Sequence, residues 1–184
     1  MKKILALLLA LGMLCALASC GDANGVVVPD GFQLASDEEF CDYRLFVPNA
    51  WVTESGKTNY TMAAVTVGEN KCTLSVAEID TDYTGTVDGY WQTCREDYGY
   101  LANFTVLEEG AQALVGSGEQ AMNGYRYVFT GDYDGTTYQG MQVFVLKAGA
   151  FSVSLYCITY MATVTYYAEQ LETVNNILTY FQFK

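Results

Sequence analysis

Alternation with a period of two runs through most of this chain and limits what it can fold into. Residues 41–47 place Cys41, Tyr43, Leu45 and Val47 on one face, and Pro48-Asn49 stops the run. Residues 60–67 and 72–79 flank Gly68-Glu69-Asn70-Lys71, turn chemistry that joins two strands into a hairpin. Residues 104–115 read as one or two strands with a break around Glu108-Glu109-Gly110. Residues 125–130 and 139–147 form a second hairpin around Gly131-Asp132-Tyr133-Asp134-Gly135. Residues 151–160 follow, with Phe151, Val153, Leu155 and Cys157 on one face. Only two stretches step by three and four. One is Val87, Tyr90, Trp91, Cys94, Tyr98 and Leu101 within 86–101. The other is Val164, Tyr167, Leu171, Val174, Leu178 and Phe181, after a cap at Thr163 or Thr165. The order is strands, helix, strands, helix. No strand–helix alternation calls for a parallel sheet, so the expected fold is α+β, an antiparallel β-sheet flanked by helices.

The N-terminus is of another kind. Lys2 and Lys3 precede an apolar stretch over residues 4–14, shorter than the ~20 residues that a membrane-spanning helix needs. Small residues follow, as in an export signal. Leu17-Ala18-Ser19-Cys20 resembles the lipobox of bacterial lipoproteins. That resemblance implies a signal peptide over residues 1–19, a diacylglyceryl group on Cys20, cleavage before it, and a membrane-attached protein on the extracytoplasmic face. Gly21 stands where an aspartate commonly retains lipoproteins at an inner membrane. Gly21, Gly25, Pro29 and Gly31 suit a tether over residues 20–36, interrupted by Val26-Val27-Val28, which can dock on the domain. Residues 37–184 are expected to form a single domain.

The chain carries 9 Lys+Arg against 21 Asp+Glu, a net charge of −12, and no histidine. Removing residues 1–19 takes two bases and no acid, leaving a net −14. Such a surface repels nucleic acid and anionic headgroups, so the membrane contact falls to the acyl chains, two of which anchor stably. Without histidine there is no Ser-His-Asp or Cys-His catalysis and no histidine metal site. No enzyme, no cofactor and no metal are expected. Setting aside Cys15 and Cys20 leaves Cys41, Cys72, Cys94 and Cys157. Two disulfides in any of three pairings are open, while the spacing lacks a C-x2–4-C zinc pattern. Their register with apolar neighbours favours free, buried thiols acting as small hydrophobes.

Tyr43-Arg-Leu-Phe-Val-Pro-Asn-Ala-Trp51 is similar to the opening of the PsbP-like superfamily. That group includes the photosystem II extrinsic protein, a Ran-binding nuclear import factor, and bacterial lipoproteins of the LpqN and DcrB kind. Gly124-Tyr-Arg-Tyr127, the second hairpin, Ile158-Thr-Tyr160 and the final Ile177-Leu-Thr-Tyr-Phe-Gln-Phe183 resemble its close. Over about residues 40–183 the resemblance implies an antiparallel sheet between helices, an α-β-α sandwich. It brings no shared active site and no residue role to carry over.

Local candidates have simpler readings. Asp132-Tyr-Asp134-Gly135 looks like the start of a calcium loop, but Val143 stands where the bidentate Glu belongs, so it reads as a turn. Glu78, Asp80 and Asp82 read as solvated strand-edge charge. Gly116-Ser117-Gly118 falls short of a nucleophile elbow and reads as a loop. Of fifteen tyrosines, Tyr125 and Tyr127 alternate with Phe129, and Tyr156 and Tyr160 fall opposite Leu155 and Cys157. Both sets are core if helices cover both faces; a half-covered face would make Tyr156 and Tyr160 groove residues. The expected function is that of a lipid-anchored, non-catalytic binding or interaction module of the bacterial envelope, with an envelope protein as partner. The alternative is a solute- or cation-binding lipoprotein with a groove between sheet and helix, into which tyrosines and carboxylates would converge. A carboxylate-only enzyme would need two facing acids about 5–9.5 Å apart.

Overall fold

Most of the alternating residues lie in strands in the computed structural model, which describes residues 26–184. The expected signal peptide, Cys20 and the first residues of the expected tether lie outside the described residues. Three short strands, β1 (Phe32–Leu34), β2 (Tyr43–Arg44) and β3 (Phe46–Pro48), come first. Then follow β4 (Val52–Ser55), β5 (Tyr60–Val67), β6 (Asn70–Asp80), helix α1 (Val87–Asp97) and β7 (Ala102–Val115). The chain closes with β8 (Met122–Tyr133), β9 (Thr136–Ala148), β10 (Val153–Thr163), helix α2 (Val164–Tyr180) and β11 (Gln182–Phe183). The main sheet has seven strands in the order β4-β5-β6-β10-β9-β8-β7, and every pairing in it is antiparallel. The fold is therefore α+β, mostly antiparallel sheet with two α-helices among the described residues.

Turn chemistry sets the hairpins. Asp134 and Gly135 join β8 to β9 with φ of 49° and 73°, the left-handed pair that a two-residue hairpin turn needs to match strand twist. Alternate residues of the same strands then fill two cores. Met141, Val143 and Val145 of β9, with Tyr156, Ile158, Tyr160 and Ala162 of β10, pack with Tyr167, Val174, Ile177 and Leu178 of α2. Tyr127 and Phe129 of β8, Phe144 of β9, and Leu155 and Cys157 of β10 pack with Val87 and Trp91 of α1. Thr86 caps α1, its Oγ1 accepting from Gly89 N–H at 3.1 Å.

Several boundaries differ from expectation. Order begins before residue 37: Val26, Ala35 and Ser36 are buried, and β1 pairs with β3, Phe32 opposite Pro48. The run 41–47 is two strands because it changes partner at Leu45. β2 pairs with the C-terminal β11 and β3 with β1, while Leu45 N–H donates to Ser36 Oγ at 3.1 Å. The break expected at 108–110 is a set of bulges within one 14-residue strand, with Gly110 at φ 68°. The first helix stops at Asp97 and tightens into a 3-10 turn over Tyr98–Tyr100. Thr163 stands at the N-cap of α2 but makes no capping bond; its hydroxyl pairs with Asn70 Oδ1 at 3.2 Å instead.

Gly140 lies opposite Phe129 across β8–β9, and an added Cβ would stand 2.4 Å from the Phe129 ring. Gly140→Ala is expected to destabilise the fold by roughly 1–3 kcal/mol through overpacking. Gly99→Ala, which meets open space, should change stability by less than ~0.5 kcal/mol. Urea midpoints of the two variants check this.

Candidate functional site

The two faces of the sheet are not equally covered. α1 has 11 residues and β8 has 12; at ~1.5 Å per helical residue against ~3.3 Å per strand residue, the helix spans less than half the strand. Past the C-terminal end of α1, Phe129, Gly131 and Tyr133 of β8, Tyr138 of β9 and Met161 of β10 line a cavity of about 440 Å³ with Tyr100 and Leu101. That lies within the ~300–1,000 Å³ of small-molecule sites. Two glycines shape it. A Cβ on Gly131 would stand 2.9 Å from Leu101 Cβ, and Gly140 leaves room for the Phe129 ring. Tyr98 packs on Phe129 at 4.6 Å between ring centroids and stacks on Phe104 at 5.8 Å; Tyr100 meets Tyr133 edge-on at 6.1 Å. Burial pushes the Tyr98 phenol far above its usual range, so it is neutral.

α1 is held over the sheet by its polar side. Trp91 Nε1 donates to Glu109 at 3.0 Å, Arg95 reaches the same carboxylate at 3.3 Å, and Trp91 stacks on Tyr127 at 4.7 Å. Beside the groove, on the same face of β9 two residues from Gly140, Gln142 is buried. Its Nε2 donates to Thr159 Oγ1 at 3.4 Å, while Oε1 has no hydrogen-bond partner. No charged side chain lines the groove. It offers aromatic faces and phenol groups but no nucleophile with a base.

The other chemically loaded place is a polar clasp drawn from five segments. Asp42 accepts from Lys147 Nζ and the Tyr156 hydroxyl, each at 2.6 Å, and from Asn59 Nδ2 at 2.8 Å. Asn59 also donates to Glu78 at 2.7 Å, and the Tyr156 hydroxyl lies 3.1 Å from Glu78 Oε1. Lys147 Nζ sits 4.7 Å from the centre of the Phe183 ring. Burial pushes the Asp42 carboxyl up, but the bonds from Lys147, Tyr156 and Asn59 outweigh this and hold it below its usual value. The donors and acceptors are turned on one another, which pins β2 and β11 to the sheet.

The sequence candidates fall as follows. Glu78 joins the clasp, whereas Asp80 accepts only from Asp82 N–H at 3.0 Å, and among the described residues no three metal-ligating groups converge. Asp132 accepts from Thr137 within the hairpin and from Asn103 on β7, each at 2.6 Å, which lowers its pKa and occupies both oxygens. Gly116-Ser117-Gly118 is a loop, Gly116 N–H bonding Leu178 C=O at 2.8 Å. Tyr156 and Tyr160 are fully buried and line no groove; the open surface belongs to the α1 face. Cys41, Cys72, Cys94 and Cys157 are free, and all but Cys94 are buried. Burial pushes the Cys72 and Cys157 thiols up to about 12, so they stay protonated.

The fold is similar to that of LpqN, described as involved in cell envelope biogenesis of Mycobacterium tuberculosis: 16% identity, TM-score 0.55, 82% of this chain and 89% of that one. CalU16 from Micromonospora echinospora is 14% identical, with a TM-score of 0.28 over 69% of this chain and 86% of that one. No protein-family model and no curated protein matches the sequence. The expected likeness to LpqN is thus met at the level of fold.

The clasp carries a pH signature. A carboxyl with a lowered folded pKa contributes stability above its unfolded value, lost as pH falls through the folded one. Lys147→Met is therefore expected to lower stability at pH 7 by roughly 1–2 kcal/mol. The gap from the parent should shrink as pH falls below the ordinary Asp value of about 4. Urea titrations across that range check the sign.

Proposed function

We propose that this chain is an extracytoplasmic lipoprotein of the bacterial cell envelope, anchored through acyl chains on Cys20, whose PsbP-like domain is a non-catalytic binding module. The observation that carries the reading is an uncharged groove of aromatic and aliphatic side chains on a domain that follows a lipobox-like Leu17-Ala18-Ser19-Cys20. LpqN, whose fold it shares, is involved in cell envelope biogenesis, which supports the location. No helix among the described residues is long and apolar enough to cross a membrane, and acyl chains meet the need for attachment.

The groove lining also chooses between ligands. Tyrosines converge there and carboxylates do not, so an uncharged partner fits better than the cationic solute of the alternative reading. Aromatic surfaces of this kind give broad contact at low entropic cost.

Cells fed labelled palmitate should label the parent, and Cys20→Ala should lose at least tenfold of the label and leave the membrane fraction. A photocrosslinker in place of Tyr133 should capture an envelope protein reproducibly. Labelling that survives Cys20→Ala overturns the anchor, and native mass spectrometry showing a retained small molecule with no protein adduct favours a solute receptor.

A further inference from the structure

The charge balance that keeps this domain off anionic headgroups leaves open which surface meets the bilayer. We propose that the tip of the β9–β10 hairpin, Gly149-Ala150-Phe151-Ser152, is a membrane-contact element whose Phe151 ring enters the interfacial layer of the bilayer. The proposal rests on the lipid-anchor reading above and adds the face that the anchored domain turns to the lipid.

Phe151 has 103% of its reference surface in solvent, while the next most exposed phenylalanine among the described residues, Phe40, shows 36%. A lone exposed apolar residue is ordinary, but this one is held out on a built projection. Gly149 N–H donates to Ser152 C=O at 2.8 Å, closing the tip, and Tyr83 N–H donates to Val153 C=O at 2.8 Å, bracing its base. From Ala148 to Val153 the chain is uncharged, in a protein with 21 acids. Asp82 and Tyr83 line a cleft together with the hairpin tip, so the nearest acid lies on a neighbouring segment and the tip itself is uncharged.

The length of chain outside the structure argues for lipid as the occupant. Val26 is buried, so only residues 20–25 separate the lipid-bearing sulfur from the folded domain, a reach of ~20 Å fully extended. A domain held that closely makes any second contact with the bilayer intramolecular, so one aromatic residue suffices where it would be too weak alone. With a net −14 the contact surface must be uncharged, and aromatic rings favour the interfacial layer. Phe32, six residues after Val26, meets Tyr180 at 5.0 Å, and just beyond Tyr180, Phe183 packs on Tyr156 at 4.8 Å, three residues from Val153 at the base of the hairpin.

The test uses the lipidated protein in phosphatidylcholine vesicles whose acyl chains carry bromine, with Phe151→Trp as reporter. Trp51 and Trp91 are buried, so the new indole is read against a dark-to-iodide background. Flotation comes first: protein that does not float with the vesicles overturns the anchor and this proposal with it. In floated protein, bromolipid is expected to quench Phe151→Trp at least twofold and vesicles to shield it from iodide. Tyr133→Trp, at the far end of the sheet, should stay open to iodide and unaffected by bromolipid. Floated protein in which Phe151→Trp behaves like Tyr133→Trp overturns the proposal and leaves the anchor standing. Shielding from iodide without bromolipid quenching also overturns it, by pointing to a protein contact.

Discussion

Every other element takes its place from the double-sided burial of β10, the fourth of seven strands, bonded to β6 on one side and β9 on the other. Tyr156, Ile158, Tyr160 and Ala162 point to one core and Leu155 and Cys157 to the other. Burying a large side chain is worth ~1.5–3 kcal/mol, so leaving either set in water would forfeit several times that amount. A strand of this kind needs cover on both faces. The tyrosines meet the cost of their polar tips locally: Tyr160 stacks on Tyr167 at 4.7 Å and donates to its carbonyl at 2.9 Å, and the Tyr156 hydroxyl donates a hydrogen bond to Asp42. A Phe at Tyr156 would remove one of the three side-chain donors to Asp42, leaving those from Lys147 and Asn59.

Cover comes from two helices of unequal length, and the groove is the remainder. α2 has 17 residues and α1 has 11. Where α1 gives out, the chain fills part of the bare sheet with rings, Tyr98 on Phe129 and Phe104, and the bare backbone of Gly131 and Gly140 lets Leu101 and Phe129 lie close against the strands. Side chains at those two positions would collide with Leu101 and Phe129. The shallow aromatic surface is therefore built into the sheet, and the unpartnered oxygen of Gln142 beside it is a polar group that a conventional core would not tolerate.

Local chemistry made much of this readable from residues alone. The hairpin turns carry their glycines, the two helical stripes stand out from a period-two background, and Leu155, Cys157, Tyr156 and Tyr160 divide by parity. What escaped depends on partners distant in sequence. Leu45 reads as mid-strand, and only Ser36 on one side and β11 on the other reveal that the chain changes partner there. The clasp joins Asp42, Asn59, Glu78, Lys147 and Tyr156, residues with no spacing in common. Sequence gives a helix's period but not which strands it stops short of, so it leaves open which face of the sheet is half-covered; Gly131 and Gly140 on neighbouring strands are the available sign.

The places where this surface departs from an ordinary acidic globule lie at opposite ends of β9. Tyr138 borders the groove and Ala148 leads into the hairpin tip, ten residues apart, or ~33 Å of strand. A rigid antiparallel sheet fixes that separation, because sliding any strand by one residue would turn its core side chains outward. If the Phe151 end rests on lipid, the groove necessarily faces away from it, clear of the headgroups and open to a partner. Under the same proposal a short tether would be useful: a long, flexible one would let the domain tumble, and the groove would then have no preferred direction. Were the chain attached to lipid through Cys20, the sheet would convert that attachment into an orientation of the aromatic surface at its other end.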